Sequence, residues 1–445
     1  MGDTNSSIAG KSVWTMGVYV ASLTIRFGGN IALSRLLGPE IMGVAVIAQA
    51  IRTGSELLTD FGFEQNVVRS AQGEVQAFLD TIWTMQILRG LIVSLACLAL
   101  SPLLAAFYRI DPPLLMAISA VPLLGSLMST SLFSMARRLD VRSRNLFEVS
   151  AEAIGFAITV SLALVLRNVW APILAILLSI AARSALTYAL PHRRPRLRFD
   201  RVHATEIFHF SKWIMLASFA LYAAVFIDRL YLARVLPLAT LGLYGLARVI
   251  AELPNIVAGR LAFQIVFPFV AKHDADPAAG AMVRRELGRA RRGFLLLVVV
   301  GVAGVMTVAD IAVRLVYGPN FAAAGWMLCL LLASGWVSVL ASLNEAIVYG
   351  RGAPRNVSAA NLVRFAVMAA ALPVGFTLGG LPGAILALPA GEGVRYLILL
   401  RPQRSAGLSF LRQDAAMTLA LFGVFAAGVA IRAGLGLGVP WALMP

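Results

Sequence analysis

Apolar residues run in long blocks along almost the whole chain, separated by short polar connections. A helix that crosses a bilayer needs about 20 predominantly apolar residues. Blocks of that kind fall at 13–33, 41–61, 80–101, 114–135, 146–166, 171–190, 212–235, 240–268, 293–313, 324–348, 361–378, 383–400 and 416–436. The pattern predicts an all-α polytopic membrane protein with about 12–14 transmembrane helices. The last block is apolar enough to span, and a position along the interface is its other reading.

The connections alternate in charge. Counted from the N-terminus, the even ones are basic: ARRLDVRSRN, PHRRPRLRFDRVHATEIFHFSK, KHDADPAAGAMVRRELGRARRG, then those holding Arg351 and Arg355, and Arg401, Arg404 and Arg412. The odd ones are short and nearly neutral: LGPE, YRIDPP, RNVW, LPLA, YGPNF and GGLPG. Cationic loops stay on the cytoplasmic side. The expected topology therefore puts the N-terminus and all basic loops in the cytoplasm. The short outer loops leave no room for a large external domain.

Composition fits this picture. The chain has 445 residues, 59% of them hydrophobic and only 13% charged. A soluble domain carries about 25% charged residues. The formal net charge of +16 comes almost wholly from arginine. On a soluble protein it would suggest nucleic acid. Here the charge sits in the connections and is topogenic, so no nucleic-acid partner is expected. Cys97 and Cys329 both lie in apolar runs, which implies no disulfide framework. The polar start MGDTNSS lacks a cationic n-region, so a cleaved signal peptide is not expected.

The chain also repeats itself. Shifted by 199 positions, residues 12–51 align without a gap on 211–250. Trp14 meets Trp213, Met16 meets Met215, Phe27 meets Phe226, Leu33 meets Leu232, Arg35 meets Arg234, and Gly43 meets Gly242. The first helix thus recurs as the seventh. A shift of six helices keeps the orientation, so two parallel six-helix repeats are expected around a central polar cavity. The expected lobes are 1–200 and 201–400, with 401–445 as an extra helix.

Charged residues inside the apolar blocks are the candidate chemistry. Arginines there are Arg26, Arg52, Arg89, Arg183, Arg229, Arg248, Arg260 and Arg364; acids are Glu56, Asp60, Glu152, Asp228, Glu252 and Glu345. One central charge costs about 2.5–3.5 kcal/mol on insertion scales. Most of these groups must therefore pair, snorkel or face the interior. Spacing supports an interior face. Arg248, Glu252 and Asn255 stand at i, i+4 and i+7, one stripe of a helix. Their repeat equivalents Gln49, Thr53 and Glu56 are polar too. Tyr19, Ser22, Arg26 and Asn30 share a face in the first block. Asp228 is the charge in the seventh block with no counterpart in the first, where Gly29 stands.

The candidate substrate contacts are Arg26, Arg52, Arg89, Arg229, Arg248 and Arg260. The candidate cavity or ion-coupling residues are Gln49, Glu56, Asp228, Glu252 and Asn255. Other readings stand beside these. Arg248 and Glu252 form a self-neutralising pair on one helix, Asp228 neutralises a neighbouring arginine, and Arg183, Arg260 and Arg364 snorkel near helix ends. Gly28, Gly29 and Pro254 serve as hinges or as packing positions. The four histidines all lie in connections without metal-ligand spacing, and no GxxxxGK[ST] motif occurs. No metal, no cofactor and no enzymatic activity are expected.

With these segments laid out, the chain resembles the bacterial oligosaccharide flippase family. This is the polysaccharide-transporter branch of the superfamily that also holds the multidrug and toxin extruders and the lipid II flippase. The matching stretches are IALSRLLGPEIMGVAV, LTDFGFEQNVVRSA, DRLYLARVLPLATLGLYGLARVIAELPN, VFPFVAKHDAD, VYGPNFAAAGWMLCLLL and YGRGAPRNV. The resemblance implies a two-lobed helical fold. It implies translocation, by alternating access, of a polyprenyl-pyrophosphate-linked oligosaccharide across the bacterial inner membrane for exopolysaccharide, capsule or O-antigen synthesis. A polysaccharide polymerase and glycosyltransferases are then candidate partners, and a monomer is expected. Lysine is nearly absent from the membrane part, and the helix count falls between the family's twelve and fourteen. Two alternatives remain open. A cation-coupled multidrug exporter of the same superfamily would need an acidic cavity. A membrane polymerase or glycosyltransferase would need a large loop with paired carboxylates.

Overall fold

The computed structural model describes residues 3–57, 59, 61–138, 140–190, 195–273, 280–405 and 407–444. Side chains at 3–16, 19, 20, 210, 212, 213, 216, 217, 220 and 221 are excepted. Asp60 and the side chain of Tyr19 therefore lie outside the described residues. Within them the fold is helical, with no strand. The elements are α1 (Asp3–Leu36), α2 (Pro39–Leu57), α3 (Phe63–Arg69), α4 (Gln76–Tyr108), α5 (Pro112–Ile118), α6 (Val121–Ser126), α7 (Ser131–Arg137), α8 (Val141–Leu166) and α9 (Trp170–Leu186). There follow α10 (Arg201–Val235), α11 (Leu238–Ala251), α12 (Leu253–Leu261), α13 (Phe267–His273), α14 (Gly280–Tyr317), α15 (Ala324–Gly350), α16 (Pro354–Ser405) and α17 (Leu411–Gly434).

Among the described residues, eight helices are long and apolar enough to cross a membrane, or nine if the bent pair Pro112–Ser126 and Ser131–Arg137 is one span. This is a multi-pass membrane protein. Three further helices, α1, α2 and α10, have 34, 19 and 35 residues. They are long enough to span but carry the polar stripes. The helix α16 breaks where Gly379 and Gly380 leave helical geometry, Gly380 at φ +59°. That break turns 52 residues into two antiparallel arms. The arms touch through small residues: a Cβ on Gly375 would stand 2.5 Å from the Gly383 carbonyl oxygen. So each of the thirteen apolar blocks lies in a helical pass. The differences are at the ends. The second block runs to residue 61, and α2 is described as far as Leu57, with Gly62 at φ +58° beyond it. The fourth is three short helices rather than one.

Contacts divide the chain into two compact units, Met1–Tyr222 with Leu232–Gly242, and Ala223–Tyr231 with Leu243–Pro445. In the first unit α1 packs along α8. Gly28 and Gly29 face the Phe156 ring, which a Cβ would meet at 3.5 and 3.4 Å, ordinary van der Waals distances. The repeat has a physical trace here. A Cβ on Gly43 would strike the carbonyl of Leu238, and a Cβ on Gly242 would strike the carbonyl of Pro39. Pro39 and Leu238 are repeat equivalents, as are the two glycines, so the contact is reciprocal. Such self-complementary contact is what a local two-fold produces. The extended segment 195–200 runs along α4 with its backbone satisfied by side chains. Arg196 N donates to Asp80 Oδ1 at 3.0 Å and Arg198 N to Thr84 Oγ1 at 3.0 Å.

In the second unit α17 lies along α14 and is fastened at both ends. Near its start, Asp414 accepts both Arg291 Nη2 bonds at 2.8 and 3.0 Å and one from Tyr396 Oη at 2.7 Å. Near its end, Arg432 forks onto Asp310 at 2.6 and 2.8 Å. Gly428 lets Thr307 approach between the two clamps. From Arg291 to Asp310 is 19 residues, about 28 Å of helix. The hydrocarbon core is about 30 Å thick. The two clamps thus sit one bilayer thickness apart, where burying charge is least expensive. The last block is a helix long and apolar enough to span.

Arg291 and Asp414 are both almost wholly buried, at 4% and 2% side-chain exposure. Removing one partner of such a pair costs about 3–5 kcal/mol, whereas replacing both with apolar residues is often neutral. Asp414→Ala should markedly lower the melting temperature of the purified protein. Arg291→Leu with Asp414→Leu should recover most of the loss. A double variant no better than the single one would show that the pair is not the clamp.

Candidate functional site

Asp228 lies in α10, one residue before Arg229. Both are buried, at 1% and 8% exposure. Asp228 Oδ1 accepts the backbone N–H of Arg229 at 2.8 Å. Its Oδ2 accepts Tyr244 Oη at 2.6 Å and Arg248 Nε at 2.9 Å. Arg229 turns the other way and donates Nη2 to Glu252 Oε2 at 3.0 Å. Glu252 Oε1 takes Arg248 Nη2 at 3.2 Å. The result is a ring of four alternating charges. Adjacent residues of α10 bind, in reversed sign, residues one turn apart on the next pass. The ring of Phe226, 4.9 Å from the Arg229 guanidinium, covers its remaining face.

The stripe of α11 and α12 continues this surface. Tyr244, Arg248, Glu252 and Asn255 are spaced 4, 4 and 3. Asn255 Oδ1 accepts Ser342 Oγ of α15 at 2.8 Å. From there a second cluster begins. Arg395 pairs with Glu345 of α15 and donates to Glu392 Oε2 at 3.1 Å. Glu392 also takes Arg364 Nη2 at 2.7 Å. Gly391 makes the last pair reachable, because a Cβ there would stand 3.2 Å from the Arg364 carbonyl oxygen and collide with Met368. Arg229, Arg248, Arg364 and Arg395 face Asp228, Glu252, Glu345 and Glu392. The network of the second unit is therefore charge-balanced, not arginine-rich. Helix α16 supplies a carboxylate, Glu392, that the arginine excess of the sequence reading left out.

Four expected residues, Asp228, Arg229, Arg248 and Glu252, are thus brought together, with Asn255 one hydrogen bond away. Arg260 lies on the same pass, two turns beyond Glu252. The others belong to the first unit. Arg26 pairs with Glu152 of α8, and its side chain is 63% exposed. Arg52 pairs with Glu56 within α2 at 3.1 Å, at 30% and 43% exposure. Gln49 Nε2 donates to Thr53 Oγ1 at 3.2 Å. Arg89 donates to the Thr59 carbonyl at 3.2 Å and lies 5.8 Å from the Phe63 ring. Arg183 takes Glu148 at 2.8 Å. Tyr244, Glu345, Arg364, Glu392 and Arg395 are network members outside the candidate site set. The signals for Tyr244, Glu392 and Arg395 were the 244/248 and 392/395 spacings, i+4 and i+3, inside apolar runs.

Fold and site define a multi-pass helical membrane protein whose charged side chains pair between neighbouring helices. The fold is that of the lipid II flippase MurJ in an inward closed conformation, at a TM-score of 0.71 and 11% identity, over 92% of each chain. An inward-facing multidrug-resistance MATE family transporter of the MOP superfamily gives 0.61 at 14% identity, over 87% of this chain and 96% of that one. The chain belongs to the family described as polysaccharide biosynthesis protein, whose pattern matches residues 32–325. The succinoglycan biosynthesis transport protein ExoT of Rhizobium meliloti (strain 1021) is 23% identical over 93% of this chain and 81% of its own length. The lipopolysaccharide biosynthesis protein WzxC of Escherichia coli (strain K12) is 24% identical over 65% of this chain, which spans 59% of that relative.

Glu392 holds two buried arginines, whereas Glu345 holds one that keeps a second partner. Leaving a buried charge unpaired costs about 3–5 kcal/mol. Glu392→Gln should therefore destabilise the purified protein clearly more than Glu345→Gln, as read from thermal unfolding. Equal shifts would mean that the two arginines do not share Glu392.

Proposed function

We propose that this chain is a flippase that carries polyprenyl-pyrophosphate-linked oligosaccharide units across the bacterial inner membrane by alternating access. Its place is in exopolysaccharide, capsule or O-antigen biosynthesis, and it is not an enzyme. Membership of the polysaccharide biosynthesis family supports this reading, as does the likeness to a transport protein along 93% of the chain. The observation that carries it is in the first unit. Arg26 of α1 and Arg52 of α2 keep 63% and 30% of their side chains exposed while paired with Glu152 and Glu56. A diphosphate offers a planar guanidinium more negative charge and more acceptor oxygens than a single carboxylate does. An anionic headgroup can therefore displace Glu152 and Glu56 and take the arginines.

Topology and partners follow from this function. The N-terminus and the basic loops are cytoplasmic, so the substrate enters from the side on which its lipid carrier is loaded. A polymerase and glycosyltransferases work on either side of the step, and the protein acts as a monomer. A cation-coupled exporter shares the fold. It would need carboxylates free to receive a cation, and the buried acids of the second unit are all engaged by arginine.

Losing one charge-assisted hydrogen bond removes about 1.5–3 kcal/mol, which is about tenfold or more in affinity. Arg26→Ala and Arg52→Ala should each reduce polysaccharide export by at least that factor while membrane insertion stays normal. Arg248→Ala should also abolish export, with a loss of stability because Asp228 is left buried. Unimpaired export from both Arg26→Ala and Arg52→Ala would refute recognition of an anionic headgroup by these arginines.

A further inference from the structure

We propose that Phe263 and Tyr349, backed by Phe267, form a stacking platform for the sugar rings of the substrate. The inference rests on the flippase reading and names where its saccharide part is held.

Helix α15 is mostly buried, yet one face of it is polar throughout. Ser338, Ser342, Glu345 and Tyr349 are spaced 4, 3 and 4, which places them in one stripe. Ser338, Glu345 and Tyr349 keep partial exposure. A hydroxyl and carboxylate stripe facing lipid would be expensive. Glu345 and Ser342 are held there by Arg395 and Asn255, and partial exposure remains along the stripe up to Tyr349. Its lower part already engages the α12 stripe through Ser342 and Asn255.

One turn further, the opposing pass changes geometry. Residues Ala262–Val266 form a π-helical turn between α12 and α13. Such turns insert an extra residue and are frequent at functional sites. This one presents Phe263, 46% exposed, to Tyr349, with ring centroids 5.5 Å apart and planes tilted by 52°. Phe267 follows at 6.2 Å from Phe263, tilted by 35°. The rings are tilted and not stacked face to face, and Phe263 keeps 46% exposure. Gly350 sets the spacing. A Cβ there would stand 3.0 Å from the Phe267 carbonyl oxygen and 2.8 Å from the Val270 Cβ. The glycine thus lets α13 approach α15 and brings Tyr349 to Phe263.

The chemistry fits a saccharide better than a lipid tail. A pyranose has a C–H face that carries partial positive charge and suits the negative face of an aromatic ring. Its rim of hydroxyls needs acceptors and donors. Glu345 and Ser338 stand on the same stripe as Tyr349, and Arg260 lies three residues before Phe263 on the opposing pass. A hydrocarbon chain would use none of these polar groups.

The test compares two ligands on the full-length protein in detergent: polyprenyl diphosphate bearing the oligosaccharide isolated from the producing cell's membranes, and sugar-free polyprenyl diphosphate. Phe263→Leu and Tyr349→Leu should weaken binding of the glycosylated ligand by about fivefold or more, and leave the sugar-free ligand unchanged. Phe263→Trp and Tyr349→Phe should retain the wild-type preference. Leucine variants that bind the glycosylated ligand like wild type, or that weaken both ligands equally, would overturn the platform. A wild-type protein that binds neither ligand would overturn the flippase reading itself.

Discussion

The constraint on which the second unit depends is the burial of Asp228. A lone carboxylate at 1% exposure in a membrane-spanning helix is untenable. It exists because three donors converge on it: Tyr244, Arg248 and the N–H of Arg229. Arg248 then needs Glu252 to balance its second edge, and Glu252 in turn holds Arg229. None of the four can be removed without leaving a buried charge. A closed ring of alternating charges is how a low-dielectric interior accommodates ions. It also fixes the register of α10 against α11 and α12, because a one-residue slip would set like charges together.

The same logic repeats at each place where charge enters the bilayer. Arg364, Arg395, Glu345 and Glu392 form a second balanced set, and the two clamps on α17 a third and fourth. Glycines accompany the second set, the clamps and the aromatic cluster of α13 and α15. Gly391 admits the Arg364 backbone, Gly428 admits Thr307 between the clamps, and Gly350 admits Phe267. Close backbone approach is what lets short carboxylate side chains reach arginines on neighbouring passes. Small residues are the usual means of such approach between membrane helices.

Much of this was legible in the sequence, and the rest was hidden for a definable reason. Apolar runs located every pass, since the hydrophobic thickness dictates their length. The i, i+4, i+7 spacing located the Arg248–Glu252–Asn255 stripe. What spacing on one helix cannot state is the partner on another. Arg248 satisfies both readings, pairing within its helix with Glu252 and across to Asp228. Arg26 finds Glu152 at a separation of 126 residues, and nothing local announces it. Glu392 escaped because the adjoining glycines and valine make GEGVRYL read as an ordinary apolar turn. The break at Gly379–Gly380 was readable as a loop, whereas the π turn at Ala262–Val266 has no sequence signature.

The repeat makes the polar network informative about mechanism. Gln49 and Thr53 are the equivalents of Arg248 and Glu252, and they make the same i, i+4 contact as a neutral pair. Gly29 and Asn30 stand where Asp228 and Arg229 do. One repeat thus carries a neutral version of what the other carries as ions. A neutral hydrogen bond can be exchanged for one to a ligand at little net expense, because its loss leaves no buried charge. The ionic version cannot open without stranding an ion. On the proposed reading this divides the labour. The first unit, with its neutral pair and accessible Arg26 and Arg52, is the part able to trade partners with a passing diphosphate. The second, locked around Asp228, holds its shape while that trade occurs.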